Sequence, residues 1–81
     1  MRVRVRLFAS LREAAGRDQL DLDLPEGATA EAAWQRLVEA HPSLAARRGS
    51  LAVAVNRAYQ PFDAALSPGD EVVFIPPISG G

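Results

Sequence analysis

Along residues 2–8 polar and apolar positions alternate, with Arg2, Arg4 and Arg6 on one side and Val3, Val5 and Leu7 on the other. A period of two with β-branched residues predicts a strand with one wet face. The arginines read as that solvated face rather than as a polyanion site. Phe8 shares their parity, so a large aromatic is expected to point away from the core. Residues 19–24 alternate again, Leu20, Leu22 and Leu24 against Asp21 and Asp23. Paired antiparallel with the first strand, the leucines meet Val3, Val5 and Leu7, and the aspartates share the outer face with the arginines. Exposed cross-strand pairs of this kind contribute only about 0.2–1 kcal/mol each, so they set register more than stability.

Between these strands, Ser10-Leu11-Arg12-Glu13 has capping-box spacing, and Ala14, Ala15 and Gly16 predict a short helix with a glycine stop. After the loop Pro25-Glu26-Gly27, Thr29 is the expected N-cap of a longer helix, with Glu31 favoured in its first turn. Ala30, Ala33, Trp34, Leu37, Val38 and His41 recur at helical spacing, giving one apolar stripe that Pro42 ends. Trp34 is the expected core anchor. His41 reads as a cap or a solvated end, since no acid or nucleophile lies near it in sequence.

Residues 43–50 read as a connection. Residues 51–55 are apolar throughout and suit a strand buried on both faces, or on one face with small residues opposite. Asn56-Arg57 predicts a tight turn into Ala58-Tyr59-Gln60, and Pro61 limits that strand to an edge. Ser67-Pro68-Gly69-Asp70 fits a type II turn. The last strand runs from Glu71 to Ile75, with Val72 and Phe74 on one face and Val73 and Ile75 on the other. Pro76-Pro77 stops it, because neither residue can donate to a ladder.

This order of elements predicts an α+β fold with a helix on one face of a sheet and a right-handed crossover. Placing the last strand parallel to the first, in the middle, gives the β-grasp or ubiquitin-like architecture: a mixed sheet of about five strands with one main helix on one face. The expected division is a domain over 1–75 and a flexible tail over 76–81. Trp34, Leu37 and Val38 would lie on Val3, Val5, Leu20, Leu22, Val72 and Phe74. Phe8 and Ile75 would then sit at the carboxyl ends of neighbouring strands, on the face away from the helix. Val73 joins them, and Tyr59 can. A cluster of exposed apolar residues marks a partner surface.

Composition narrows the function. Eighty-one residues with 48% hydrophobic content suffice for one small core and one domain. Nine basic and ten acidic residues give a net charge of −1, which argues against nucleic-acid or membrane binding by bulk charge. The absence of cysteine excludes disulfides, zinc ribbons, iron–sulfur clusters and thiol catalysis, and one histidine leaves no plausible metal site. A binding or carrier module is favoured over a pocket enzyme. No segment reaches the roughly 20 apolar residues of a membrane span, and residues 1–6 lack a signal-peptide core, so a cytoplasmic protein is expected. Every basic residue is arginine. A biased genome or a hot habitat explains this, but the chain then has no lysine amine for its own acylation.

Several segments together resemble the small subunits of molybdopterin synthase, a family of ubiquitin-like sulfur carriers. They are Leu7-Phe8-Ala9-Ser10-Leu11-Arg12-Glu13, Leu24-Pro25-Glu26-Gly27-Ala28-Thr29, Ala54-Val55-Asn56, Gly69-Asp70-Glu71-Val72 and, most specific, Phe74-Ile75-Pro76-Pro77-Ile78-Ser79-Gly80-Gly81. The resemblance covers essentially the whole chain. It implies that a ubiquitin-activating-like adenylyltransferase uses ATP to adenylate the Gly81 carboxylate, and that a sulfur donor system converts it to a thiocarboxylate. Pro76, Pro77, Ile78, Ser79 and Gly80 would form the tail inserted into the synthase large subunit. There sulfur would pass to a cyclic pyranopterin precursor of molybdenum cofactor, within a heterotetramer. The carrier would bind no cofactor, and the catalytic residues would belong to the large subunit. Phe8, Tyr59 and Ile75 map onto the family's apolar contact positions, with an aromatic also common where Ile75 stands.

Three other readings stay open from the sequence. A carrier for thiamine thiazole synthesis is usually shorter and lacks the Phe-Ala-Ser-Leu-Arg-Glu segment. A protein modifier would be conjugated through Gly81 to target lysines. A plain β-grasp interaction domain would make no use of its Gly-Gly.

Overall fold

The computed structural model describes residues 1–77. Strand β1 (Arg2–Leu7) pairs antiparallel with β2 (Gln19–Asp23), placing Val3 opposite Leu22 and Val5 opposite Leu20. Strands β3 (Ala52–Val55), β4 (Ala58–Gln60) and β5 (Glu71–Ile75) complete a five-stranded sheet of order β2-β1-β5-β3-β4. β5 runs parallel to β1 and antiparallel to β3, so the last strand occupies the centre. Helix α1 (Ala9–Ala15) follows β1, and α2 (Ala30–Ala40) crosses one face of the sheet. This is the expected β-grasp arrangement.

Local chemistry accounts for the boundaries. Thr29 Oγ1 accepts a hydrogen bond from the Ala32 amide at 3.2 Å and so satisfies one open donor at the start of α2. α2 ends at His41, whose non-helical backbone suits a residue preceding proline. Asn56 and Arg57 take φ of 50° and 72°, as a two-residue hairpin turn requires for its twist to match the strands. The Asn56 side chain donates to Asp70 Oδ1 at 2.9 Å and accepts from the Glu71 amide at 3.0 Å. That pins the hairpin to the turn before β5. In that turn Gly69 has φ 83°, the conformation a type II turn demands at its third position.

The helix-side face of the sheet is sealed. Val3, Val5, Leu7, Val72 and Phe74 are each at most 1% exposed, and Trp34 lies against Phe74 edge-on at 5.1 Å between ring centroids. An aromatic pair in this geometry adds about 0.5–1.5 kcal/mol beyond its buried area. Leu37 is fully buried, while Val38 sits partly buried at the margin.

Two expectations are corrected. The capping box at Ser10 does not form. α1 begins at Ala9, the preceding Phe8 offers no side-chain cap, and Ser10 already lies inside the helix. The start is fixed by the exit from β1, where Ala9 turns the chain through a φ of 50°. Residues 43–50 are also more than a connection. Pro42–Ser50 forms a 3₁₀ segment that buries Leu44 completely. The link from β4 to β5 likewise contributes the buried Leu66 and packs Phe62 on Phe74.

Candidate functional site

The face of the sheet away from α2 follows from strand register, since directly paired residues share a face. Arg6 pairs with Val73, Val73 with Ala54, and Ala54 with Tyr59, which makes one row across β1, β5, β3 and β4. In the next row Ile75 lies opposite Ala52. Small alanines on β3 leave a low floor between Val73 and Ile75 on one side and Tyr59 on the other. Tyr59 is 76% exposed and Phe8 45%, whereas Val73 and Ile75 are half-buried. An apolar surface thus spreads from the end of β5 to the edge strand β4.

The other half of this face is laced with charge. Arg2 meets Asp23 at 3.2 Å, Arg4 meets Asp21 at 3.5 Å, and Arg6 meets Glu71 at 3.7 Å. The hydrogen bond from Arg2, aided by its charge, holds the Asp23 carboxyl below the usual carboxylate range. Five of the six side chains are exposed and Glu71 is half-buried, so the ladder discriminates register at little gain in stability. Arg6 marks the border between the halves: its guanidinium lies 5.7 Å from the centre of the Phe8 ring.

At the carboxyl end of β5 an open groove of about 510 Å³ separates two short walls. Phe8, Ala9, Ser10 and Glu13 form one; Ile75, Pro76 and Pro77 form the other. Phe8 and Ile75 thus meet the first residues of the predicted tail, with Val73 one step inward and Tyr59 beyond β3. Ile78, Ser79, Gly80 and Gly81 lie outside the described residues. The sequence reading allowed for small residues opposite a buried face in 51–55 but did not assign Ala52, Ala54, Ala9 or Glu13 to this surface. Alanine at alternate positions of β3 was the available signal for the floor, once β3 is set beside β5.

Among the described residues, no histidine and no second carboxylate lines this groove. The arrangement offers an apolar surface and, beside it, a groove with a single carboxylate, Glu13. A separate ionic cluster lies on the helix side. Arg48 donates to Glu31 Oε1 at 2.6 and 2.8 Å and lies over the Phe62 ring at 3.5 Å. The hydrogen bond from Arg48 holds Glu31 below the usual carboxylate range against the opposing effect of burial. This clamp joins the 3₁₀ segment, α2 and the β4–β5 link, and it serves the fold. Among the described residues no helix is long and apolar enough to cross a membrane.

Residues 5–81 match the ThiS family. The chain is 40% identical to the molybdopterin synthase sulfur carrier subunit of Chlamydomonas reinhardtii, over 100% of both chains. It is 39% identical to the protein of the same name from Haemophilus influenzae, over 95% of this chain and 96% of the relative. Among solved structures, that of small archaeal modifier protein 1 from Haloferax volcanii superimposes with a TM-score of 0.91 at 34% identity, covering 100% of each chain.

Proposed function

The chain belongs to the ThiS family, and from that premise we propose that it is the sulfur carrier subunit of a molybdopterin synthase. The observation that carries the reading is its end-to-end likeness to carriers of that name, at 40% identity, in a chain that closes on Gly80-Gly81.

The reaction follows from carboxyl chemistry. A free carboxylate resists nucleophilic attack because its charge and resonance oppose it. In the proposed sequence a Gly81 carboxylate oxygen attacks the α-phosphorus of ATP and pyrophosphate leaves, giving an acyl-adenylate. A donor carrying a persulfide then attacks the carbonyl carbon and AMP leaves; a donor thiol cleaves the resulting acyl disulfide, forming a disulfide on the donor and leaving the terminus as a thiocarboxylate, a soft nucleophile that delivers sulfur without free sulfide. An activating adenylyltransferase, a sulfur donor system and the synthase large subunit are the partners, all placed in the cytoplasm. The substrate receiving sulfur is a cyclic pyranopterin precursor.

The folded part, 1–75, is the handle and 76–81 the working tail. Six extended residues from Pro76 span roughly 20 Å at about 3.3–3.6 Å each, enough to enter a buried site of another protein. Glycine lacks a Cβ, so Gly80-Gly81 fits a channel closed to other residues. Pro76 and Pro77 lower the entropy lost on insertion. Phe8, Tyr59, Val73 and Ile75 dock the body against the large subunit. Gly81 is consumed and regenerated, so it is a reacting group rather than a catalyst.

A second reading is favoured by the likeness to the Haloferax volcanii modifier: the same activated terminus forms an amide with a target amine. Reconstitution separates the possibilities. Sulfur transfer is expected with a molybdopterin synthase large subunit and not with a thiazole synthase. Deleting Gly81, or adding one residue after it, abolishes that transfer without unfolding the domain. Survival of transfer in either variant overturns the carrier mechanism. Lysine-linked adducts of the chain, in place of sulfur transfer, would establish the second reading.

A further inference from the structure

The geometry points to a recognition role for Glu13: its carboxylate receives a basic side chain of the protein that takes in the tail, seated in the groove between Phe8 and Pro76-Pro77. This rests on the carrier reading above and names one contact that the reading needs.

The first argument is what the other acids are doing. Asp21, Asp23 and Glu71 are engaged by the outer arginines, Glu39 by Arg36 and Glu31 by Arg48. Asp70 holds Asn56 and the Ser67 amide. Glu13, like Asp18, Glu26 and Asp63, makes no ion pair among the described residues, and of these four it alone lines the groove, as the one charged residue there. Apolar walls with a single carboxylate suit a side chain that has an apolar stem and a cationic head. A wholly apolar partner covering the groove would leave that carboxylate desolvated and unpaired, which is strongly unfavourable.

The second argument is the chemistry at the far end of the tail. The four residues after Pro77 reach about 13–14 Å when extended. A site that holds the terminal carboxylate, or the phosphate of its adenylate, needs basic groups to bind those anions. The entrance of such a site is therefore positive, and the surface at the root of the tail faces it. An unpaired carboxylate there draws that entrance inward and fixes the angle at which the tail enters. The outer arginines are held by their own aspartates and Glu71, and Glu13 is the one charged side chain lining the groove at Pro76-Pro77.

The test is the affinity of the full-length chain for the synthase large subunit, measured at low and at high ionic strength. Glu13→Gln should weaken binding about fivefold at low salt and reduce the salt dependence, and Glu13→Arg should weaken it further. Both variants should melt with the unaltered protein, because Glu13 is exposed on a surface helix. Phe8→Ala serves as the comparison: it should weaken binding while leaving the salt dependence intact. If Glu13→Gln binds like the unaltered chain at both salt levels while Phe8→Ala is impaired, the role of Glu13 is refuted and the docking reading stands. If neither variant is impaired, the docking face itself is wrong, and this inference falls with it.

Discussion

Val72 and Phe74 lie wholly inside the core, whereas their immediate neighbours on β5, Val73 and Ile75, are half-buried on the opposite side of the sheet. All four are apolar, and all four sit on the central strand. Their different surroundings come only from what covers each face. Inside, α2 delivers Trp34 onto Phe74, and the β4–β5 link adds Phe62. Outside, β3 contributes just Ala52 and Ala54, and among the described residues no helix crosses the sheet there. One strand thus serves folding with one set of residues and presents a surface with the other. The outer face is itself divided, since β1, β2 and Glu71 at the start of β5 carry a charge ladder where the rest of β5, β3 and β4 carry an apolar floor. A sheet can keep such a floor soluble when it is small and bordered by charge.

The division is broken most severely from inside. Phe74→Ala should destabilise the domain by about 3–5 kcal/mol in denaturant unfolding, because it opens a cavity beneath Trp34. A loss below 1 kcal/mol would mean that the core is not centred on this residue. From outside, the same truncation should act on binding instead. Phe8→Ala or Ile75→Ala should cost the complex with a large subunit about 2 kcal/mol, read by calorimetry, with little change in melting temperature. A large drop in melting temperature for Ile75→Ala would invert the assignment of faces.

Smaller effects sharpen the contrast. The Arg48–Glu31 clamp is the ionic element of the helix side. Because folding depresses the Glu31 pKa, its contribution is present above the ordinary glutamate value of about 4.3 and is lost as pH falls through the lower folded value. Melting temperature should therefore drop on acidification in that window, and Glu31→Gln should lessen the drop. An unchanged acid profile in Glu31→Gln would show that the clamp contributes nothing. The smallest effect belongs to the outer ladder. Arg4→Ala should alter stability by no more than about 0.5 kcal/mol, since the Arg4–Asp21 pair is solvated. A larger loss would mean that the ladder is part of the structural core of the sheet.

Much of this was legible in the residues. The alternation in β1 and β2 indicated their antiparallel pairing and shared core face, the stripe on α2 indicated its buried face, and parity placed Phe8 and Ile75 together. Each inference rested on a regular period, which maps sequence onto a face directly. What stayed hidden lay where no period exists. Leu44, Phe62 and Leu66 join the core from a 3₁₀ segment and a loop, where burial depends on what packs above rather than on spacing. Ser10 looked like a cap because its spacing to Glu13 was right. The exit from β1 at Ala9 starts the helix earlier and leaves that spacing without a role. Glu13 has no distinctive local signal, and the alternate alanines of β3 have one only once β3 is paired; both acquire meaning when β5 and α1 enclose the groove.

The central claim is that the terminal carboxyl carries sulfur, and intact mass with mapping of the last peptide tests it most directly. Protein isolated from sulfur-replete cells should contain a species heavier by one sulfur less one oxygen, localised to Gly81 and absent when the activating enzyme is removed. A terminus that keeps both oxygens under those conditions, or sulfur mapped to any other residue, would contradict the account.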